Sequence, residues 1–172
     1  MAAAADRTHV SMGRRVVPPL CITLATLLHF SRLPVLDWLT ATPALDLLAL
    51  YYWTIARPNR VPVALLFILG LIADSLSTTP LGIHAVVYLV AYGLARWIRH
   101  HMEAPAILPM WGIFSVWLLC LLLLEWLLSG WQWQVLPPLS ALPLQWMITL
   151  FLYPLIHLLF DRLLTFGQRW RI

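Results

Sequence analysis

Residues 61–98 read VPVALLFILGLIADSLSTTPLGIHAVVYLVAYGLARWI, two apolar runs broken once by Asp74, Ser75, Leu76, Ser77, Thr78, Thr79, Pro80, Leu81 and Gly82. This pattern predicts a helical hairpin in a membrane, with an acid near the end of its first arm. Hydrocarbon holds no water to solvate a carboxylate, so Asp74 must find a partner or a polar cavity. The turn is therefore the first place to look for function.

The rest of the chain extends the same reading. Of 172 residues, 62% are hydrophobic and 10% charged, with a mean hydropathy of +0.83, which excludes an ordinary water-soluble domain. Taking arginines, prolines and polar clusters as breaks gives runs near 16–33, 42–56, 61–77, 80–98, 106–129 and 139–164. The expected fold is all-α, a single membrane domain over 16–166 built as a bundle of six transmembrane helices, with tails at 1–15 and 167–172. The second run is short for a crossing, and tilt, local thinning or snorkelling of Arg57 would accommodate it. Arg7, Arg14 and Arg15 ahead of an apolar stretch also suit a signal peptide. Pro18-Pro19 at the start of that stretch, and the lack of a small-x-small site after it, favour an uncleaved helix. Cys21 and Cys120 lie in apolar runs, as packed small hydrophobes do.

Six spans put both termini and the loops near 57–60 and 99–105 on one side, together with ten of the eleven arginines; only Arg32 falls opposite. By the positive-inside rule both ends are cytoplasmic. The basic balance then reflects orientation, and no nucleic-acid partner is implied. Asp37, Asp46, Asp74 and Glu125 fall in or near the outer third with His29 and His84, a formal −3 there against +7 on the cytoplasmic side. Two accounts fit these acids. They stay solvated at the outer interface, or they line a polar recess, centred on Asp46 and Glu125 as well as the hairpin, that takes a partner helix or a small ligand.

At the turn, Thr79 suits an N-cap and Pro80 the first helical position of the fourth helix. Asp74 would end the third helix and His84 fold back to its level, within reach of a contact. Alternatively, Asp74, Ser75, Ser77 and Thr78 serve only to satisfy backbone groups freed at the turn. Tyr51-Tyr52-Trp53 and the following Arg57-Pro58-Asn59-Arg60 read as headgroup-depth anchors. Arg57, Arg60, Arg96 and Arg99 are also the best placed to meet a cytoplasmic protein. Trp131-Gln132-Trp133 suits an interfacial loop, and Glu125, one turn from Ser129, suits snorkelling to the interface. His100-His101 do not share a helical face and lack a completing ligand cluster, so neither a metal nor a cofactor is expected. With no phosphate loop, G-x-S-x-G or H-E-x-x-H motif, an enzyme is disfavoured; Ser77 and His84 are the nearest to a hydrolase pair.

Between Pro43 and His84 the order of residues resembles the MreD family of rod shape-determining membrane proteins: the proline, a helix ending Tyr52-Trp53, Arg57-Pro58-Asn59-Arg60-Val61, Phe67, Gly70, Asp74, Ser77, Leu81-Gly82 and His84. The family usually carries glycine straight after the serine, where this chain has Thr78. The resemblance implies a non-enzymatic, multi-pass inner-membrane component of the cell-elongation machinery. Its implied partners are MreC, a single-span protein with a periplasmic domain, together with the MreB filament, a SEDS glycan polymerase, a class B transpeptidase and membrane lipids. It also implies a bundle likened to the substrate-binding subunit of a vitamin transporter, which keeps a ligand pocket as the alternative. Association in lipid depends on small residues and polar contacts. The hairpin residues Gly70, Asp74, Ser77, Thr78, Pro80, Leu81, Gly82 and His84 are accordingly the candidate surface for the partner helix.

Overall fold

The computed structural model describes residues 2–30, 42–77, 80–101, 107–133, 139 and 141–169. Six α-helices follow one another: α1 Ala2–Phe30, α2 Leu45–Ala56, α3 Val63–Leu76, α4 Ile83–His101, α5 Ile107–Trp133 and α6 Ala141–Arg169, with a 3-10 turn at Pro58–Arg60 after α2. No strand occurs among the described residues. The helices match the six apolar runs, with shifts at several ends: α4 starts and ends three residues later than its run, and α6 continues to Arg169, into the expected C-terminal tail. Helix α1 already begins at Ala2, so residues expected as a tail continue the helix, and α5 runs on through Trp133, placing Trp131-Gln132-Trp133 on a helix rather than in a loop.

Two segments, Met110–Gln132 and Ala141–Arg162, are long and apolar enough to cross a membrane, and only 28% and 11% of those windows is buried. A core helix of a water-soluble protein would be mostly covered. Here Phe151, Leu155, Leu158 and Leu159 stand more than half exposed along α6, an apolar surface suited to lipid tails. The other four helices are shorter or more polar, and what lets them exist is their packing.

Helix α2 is the clearest case. Twelve residues rise only about 18 Å, and all from Asp46 to Ile55 are buried, enclosed by α1, α4 and α6. Tyr51, Tyr52 and Trp53 are therefore core side chains, 0%, 6% and 0% exposed, and not the headgroup anchors expected from their position. Tyr51 packs against Phe114, Trp117 and Tyr153 at ring separations of 5.0, 4.9 and 6.0 Å, and Tyr52 against Phe160 at 5.1 Å. A short helix inside a bundle cannot satisfy its ends with water. Thr149 of α6 accepts the Ala44 N–H at 3.0 Å at the start of α2, and Arg99 of α4 donates to the Ile55 carbonyl at its end.

Helices α3 and α4 form the closest pair. Gly70 makes this approach feasible: a Cβ there would fall inside the van der Waals envelope of the His84 and Ala85 backbone. Helix α4 then sorts its residues by face. Ile83, His84, Val87, Tyr88, Ala91, Tyr92 and Ala95 are buried, while Val86, Val90, Leu94 and Trp97 point outward. Indole N–H groups tie the last helices in place, Trp117 to Ala91 O at 3.3 Å, Trp146 to Ser115 O at 3.0 Å and Trp111 to Leu150 O at 3.0 Å.

Candidate functional site

Helix α4 starts at Ile83, three residues later than the Thr79-Pro80 cap predicts; Pro80 lies outside the helix, and Thr78 and Thr79 fall outside the described residues. Gly82 immediately before the helix has φ +107°. That is the left-handed region where a β-carbon is strained, so this turn places its conformational demand on Gly82. Among the described residues the capping group comes from α3. Asp74 Oδ2 accepts the Gly82 N–H at 2.7 Å and Oδ1 accepts the His84 N–H at 2.9 Å. The carboxylate also lies at the positive end of the α4 dipole.

The His84 side chain completes this clamp. Its Nδ1 lies 2.7 Å from Asp74 Oδ1, and because that oxygen already accepts the His84 backbone N–H, the ring donates. The other ring nitrogen, Nε2, is 3.4 Å from Glu125 Oε1 on α5. Glu125 is thus turned towards the bundle with its side chain 31% exposed, and not simply extended to the interface. Ser77 and Ser75 donate to Ala73 O at 2.7 Å and Leu71 O at 2.9 Å in their own helix. Asp74 thus accepts two backbone N–H groups of the turn and also meets the His84 ring.

A second acid–histidine pair lies beside the first. Asp46, in the first turn of α2, meets His29 Nδ1 of α1 at 2.5 Å through Oδ1, and accepts the Tyr88 hydroxyl of α4 at 2.6 Å through Oδ2. Asp46 and Asp74 are each 2% exposed and His84 5%. Phe30 joins the pairs, stacked on His29 at 4.6 Å and edge-on to His84 at 5.0 Å. The result is a buried lattice with one or more polar members on each of α1 to α5. Each carboxylate of the two pairs has both oxygens engaged, which suits bracing five helices at one level. Ser77 donates to the Ala73 carbonyl of its own helix, and His84 faces the two acids Asp74 and Glu125.

Of the hairpin residues, the structure groups Gly70, Asp74 and His84 inside the α3–α4 contact, with Gly82 at its edge, joined to Asp74 through its N–H. Leu76 and Leu81, 50% and 71% exposed, form its outer surface. Asp46 and Glu125 join the same end of the bundle. Sequence reasoning left Tyr88 and Phe30 out altogether. Tyr88 had a signal, since it sits four residues after His84 on one helical face; Phe30 had none.

At the other end of α4 stand the arginines. Arg99 reaches the α2 carbonyl already described, Arg96 donates to Tyr92 Oη at 2.8 Å, and Pro58 of the 3-10 turn lies against them, the turn being closed by Arg60 N–H to Arg57 O at 3.0 Å.

Compared with known proteins, residues 11–163 match the family described as rod shape-determining protein MreD. That span holds all the lattice residues and most of each helix. The chain belongs to the MreD family. A relative in Haemophilus influenzae (strain ATCC 51907 / DSM 11121 / KW20 / Rd), named "Rod shape-determining protein MreD", is 35% identical over 68 residues. The match covers 33% of this chain and 42% of that relative, so it spans less than half of the relative's length. No solved structure matches the chain. The family and this relative are both described as rod shape-determining.

Proposed function

We propose that this chain is a non-enzymatic, multi-pass component of the bacterial inner membrane that binds MreC and helps couple cytoplasmic MreB to the peptidoglycan-synthesising SEDS polymerase and class B transpeptidase. In this reading all six helices traverse the bilayer with both termini in the cytoplasm, and residues 16–166 form the membrane domain. The segregation of arginines supports that sidedness. Family membership supports the cellular role.

The observation that carries the reading is the Asp74 clamp. It draws three N–H groups of the turn onto one carboxylate and leaves Leu76 and Leu81 exposed at the tip of the hairpin. A partner helix meets that shaped apolar surface. Asp74 itself acts at one remove, by holding it. The test is photo-crosslinking from Leu76 and Leu81 in living membranes, with Val116 on α5 as a control. Adducts with MreC at the hairpin and not at Val116 are expected, and Asp74→Leu should lower MreC co-purification far more than Gln132→Ala. Equal crosslinking at all three positions, or equal retention in both variants, overturns the proposal.

A ligand-binding subunit is the second reading. Its specific support is Glu125, a part-exposed carboxylate directed at His84. A small molecule that raises the unfolding temperature of the wild type, and no longer does so in Glu125→Gln, would favour it.

A further inference from the structure

We propose that the groove at the C-terminal end of α4 binds the headgroup of an anionic phospholipid. The inference rests on the membrane-spanning reading above. The groove has a volume of about 460 Å³ and is lined by Pro58, Arg96, Trp97, Arg99 and His100. Its two guanidinium groups are held in place from behind, Arg96 by Tyr92 Oη and Arg99 by Ile55 O. Each anchor uses part of a five-donor fork that fits phosphate oxygens. Among the described residues no carboxylate pairs with Arg96 or Arg99. The groove therefore presents positive charge, held by these two anchors, to an incoming anion.

What surrounds this charge selects the ligand. Trp97 is 61% exposed at the rim, and Leu94, Val90 and Val86 continue outward-facing along α4 at 38%, 36% and 46%. From residue 86 to 97 the helix rises about 16 Å, comparable to one leaflet's hydrocarbon depth. A free phosphate would use the arginines and leave this stripe unused, and an acidic protein segment would have no need of it. An anionic lipid uses both, its phosphate in the groove and its acyl chain along α4, with the indole at the boundary between them. Anionic headgroups concentrate on the cytoplasmic leaflet, where the arginine-rich end is placed.

The test is native mass spectrometry of the full chain released from detergent, offered phosphatidylglycerol and phosphatidylcholine of matched chains in equal amount. The wild type should retain phosphatidylglycerol in preference. Arg96→Gln with His100→Gln should reduce that preference about fivefold or more, and Arg162→Gln, a matched loss of charge on α6, should leave it unchanged. Arg96→Gln alone keeps the Arg99 contact with α2 and covers the case in which the double variant unfolds; it should reduce the preference in the same direction. No preference in the wild type, or an equal loss in Arg162→Gln, overturns the proposal. Full displacement by glycerol phosphate would show a soluble-anion site, and full displacement by an acidic peptide a protein-docking site; either result also overturns it. Cysteine labelling that puts residue 100 outside the cell while the lipid preference persists would sink the sidedness and leave the lipid site standing.

Discussion

The two ends of α4 handle charge in opposite ways. At its N-terminal end, buried Asp46, Asp74 and His84 and part-buried His29 and Glu125 consume one another's hydrogen-bonding capacity across five helices. At its C-terminal end, Arg96 and Arg99 each make one anchoring contact and still line an open groove. The difference follows from solvation. A charge deep among apolar side chains has no other source of partners than the protein, whereas an arginine on a long stem reaches water and phosphates at the boundary. The first end is closed on itself, and the second stays open.

Substitutions at the two ends should therefore differ in size, and the largest effect is expected at Asp74. Asp74→Leu removes the acceptor of two backbone N–H groups and the partner of His84, at a cost of about 4 kcal/mol. Thermal unfolding in detergent should show a steep fall, and a near-normal midpoint would mean that the clamp is dispensable. Gly70→Val comes next, at about 3 kcal/mol, because the obstructing atoms belong to the α4 backbone and cannot rotate away. Gly70→Ala should produce a smaller loss of the same kind. Tyr88→Phe takes one hydroxyl from Asp46 and should cost about 1 kcal/mol, since His29 still holds the other oxygen. Its effect should largely disappear in an Asp46→Ala background, a non-additivity that a double-mutant cycle measures directly. Arg96→Gln is the smallest, with no measurable shift of the midpoint. A large destabilisation there would erase the contrast between the two ends.

Legibility in the sequence followed the same division. The hairpin, its acid and the reach of His84 towards Asp74 could be read because all three lie within a dozen residues, where spacing and turn chemistry set geometry. Local spacing puts the start of α4 at Pro80, and it lies at Ile83, where the Asp74 carboxylate arriving from α3 meets the Gly82 and His84 N–H groups. Tyr51-Tyr52-Trp53 next to Arg57 suggested an interfacial belt, and composition contained nothing to contradict it. Only the enclosure of α2 by α1, α4 and α6 put those rings in the core. Likewise His29 and Asp46 are separated by a stretch that carries no pairing signal, and Tyr88 comes from a third helix.

The sequence by itself determined that this chain is a bundle of apolar helices, where those helices lie along the chain apart from the early start of α1 at Ala2, and which family it belongs to. Those properties depend on hydrophobic run length and short-range order, which are written along the chain. Tertiary structure alone decided which polar groups meet. Asp46 with His29 and Tyr88, Thr149 at the start of α2 and Arg99 at its end are partners fixed by how the helices pack. In a medium without water each buried donor and acceptor must find its complement somewhere in the protein, and where that complement lies depends on the packing of the whole bundle.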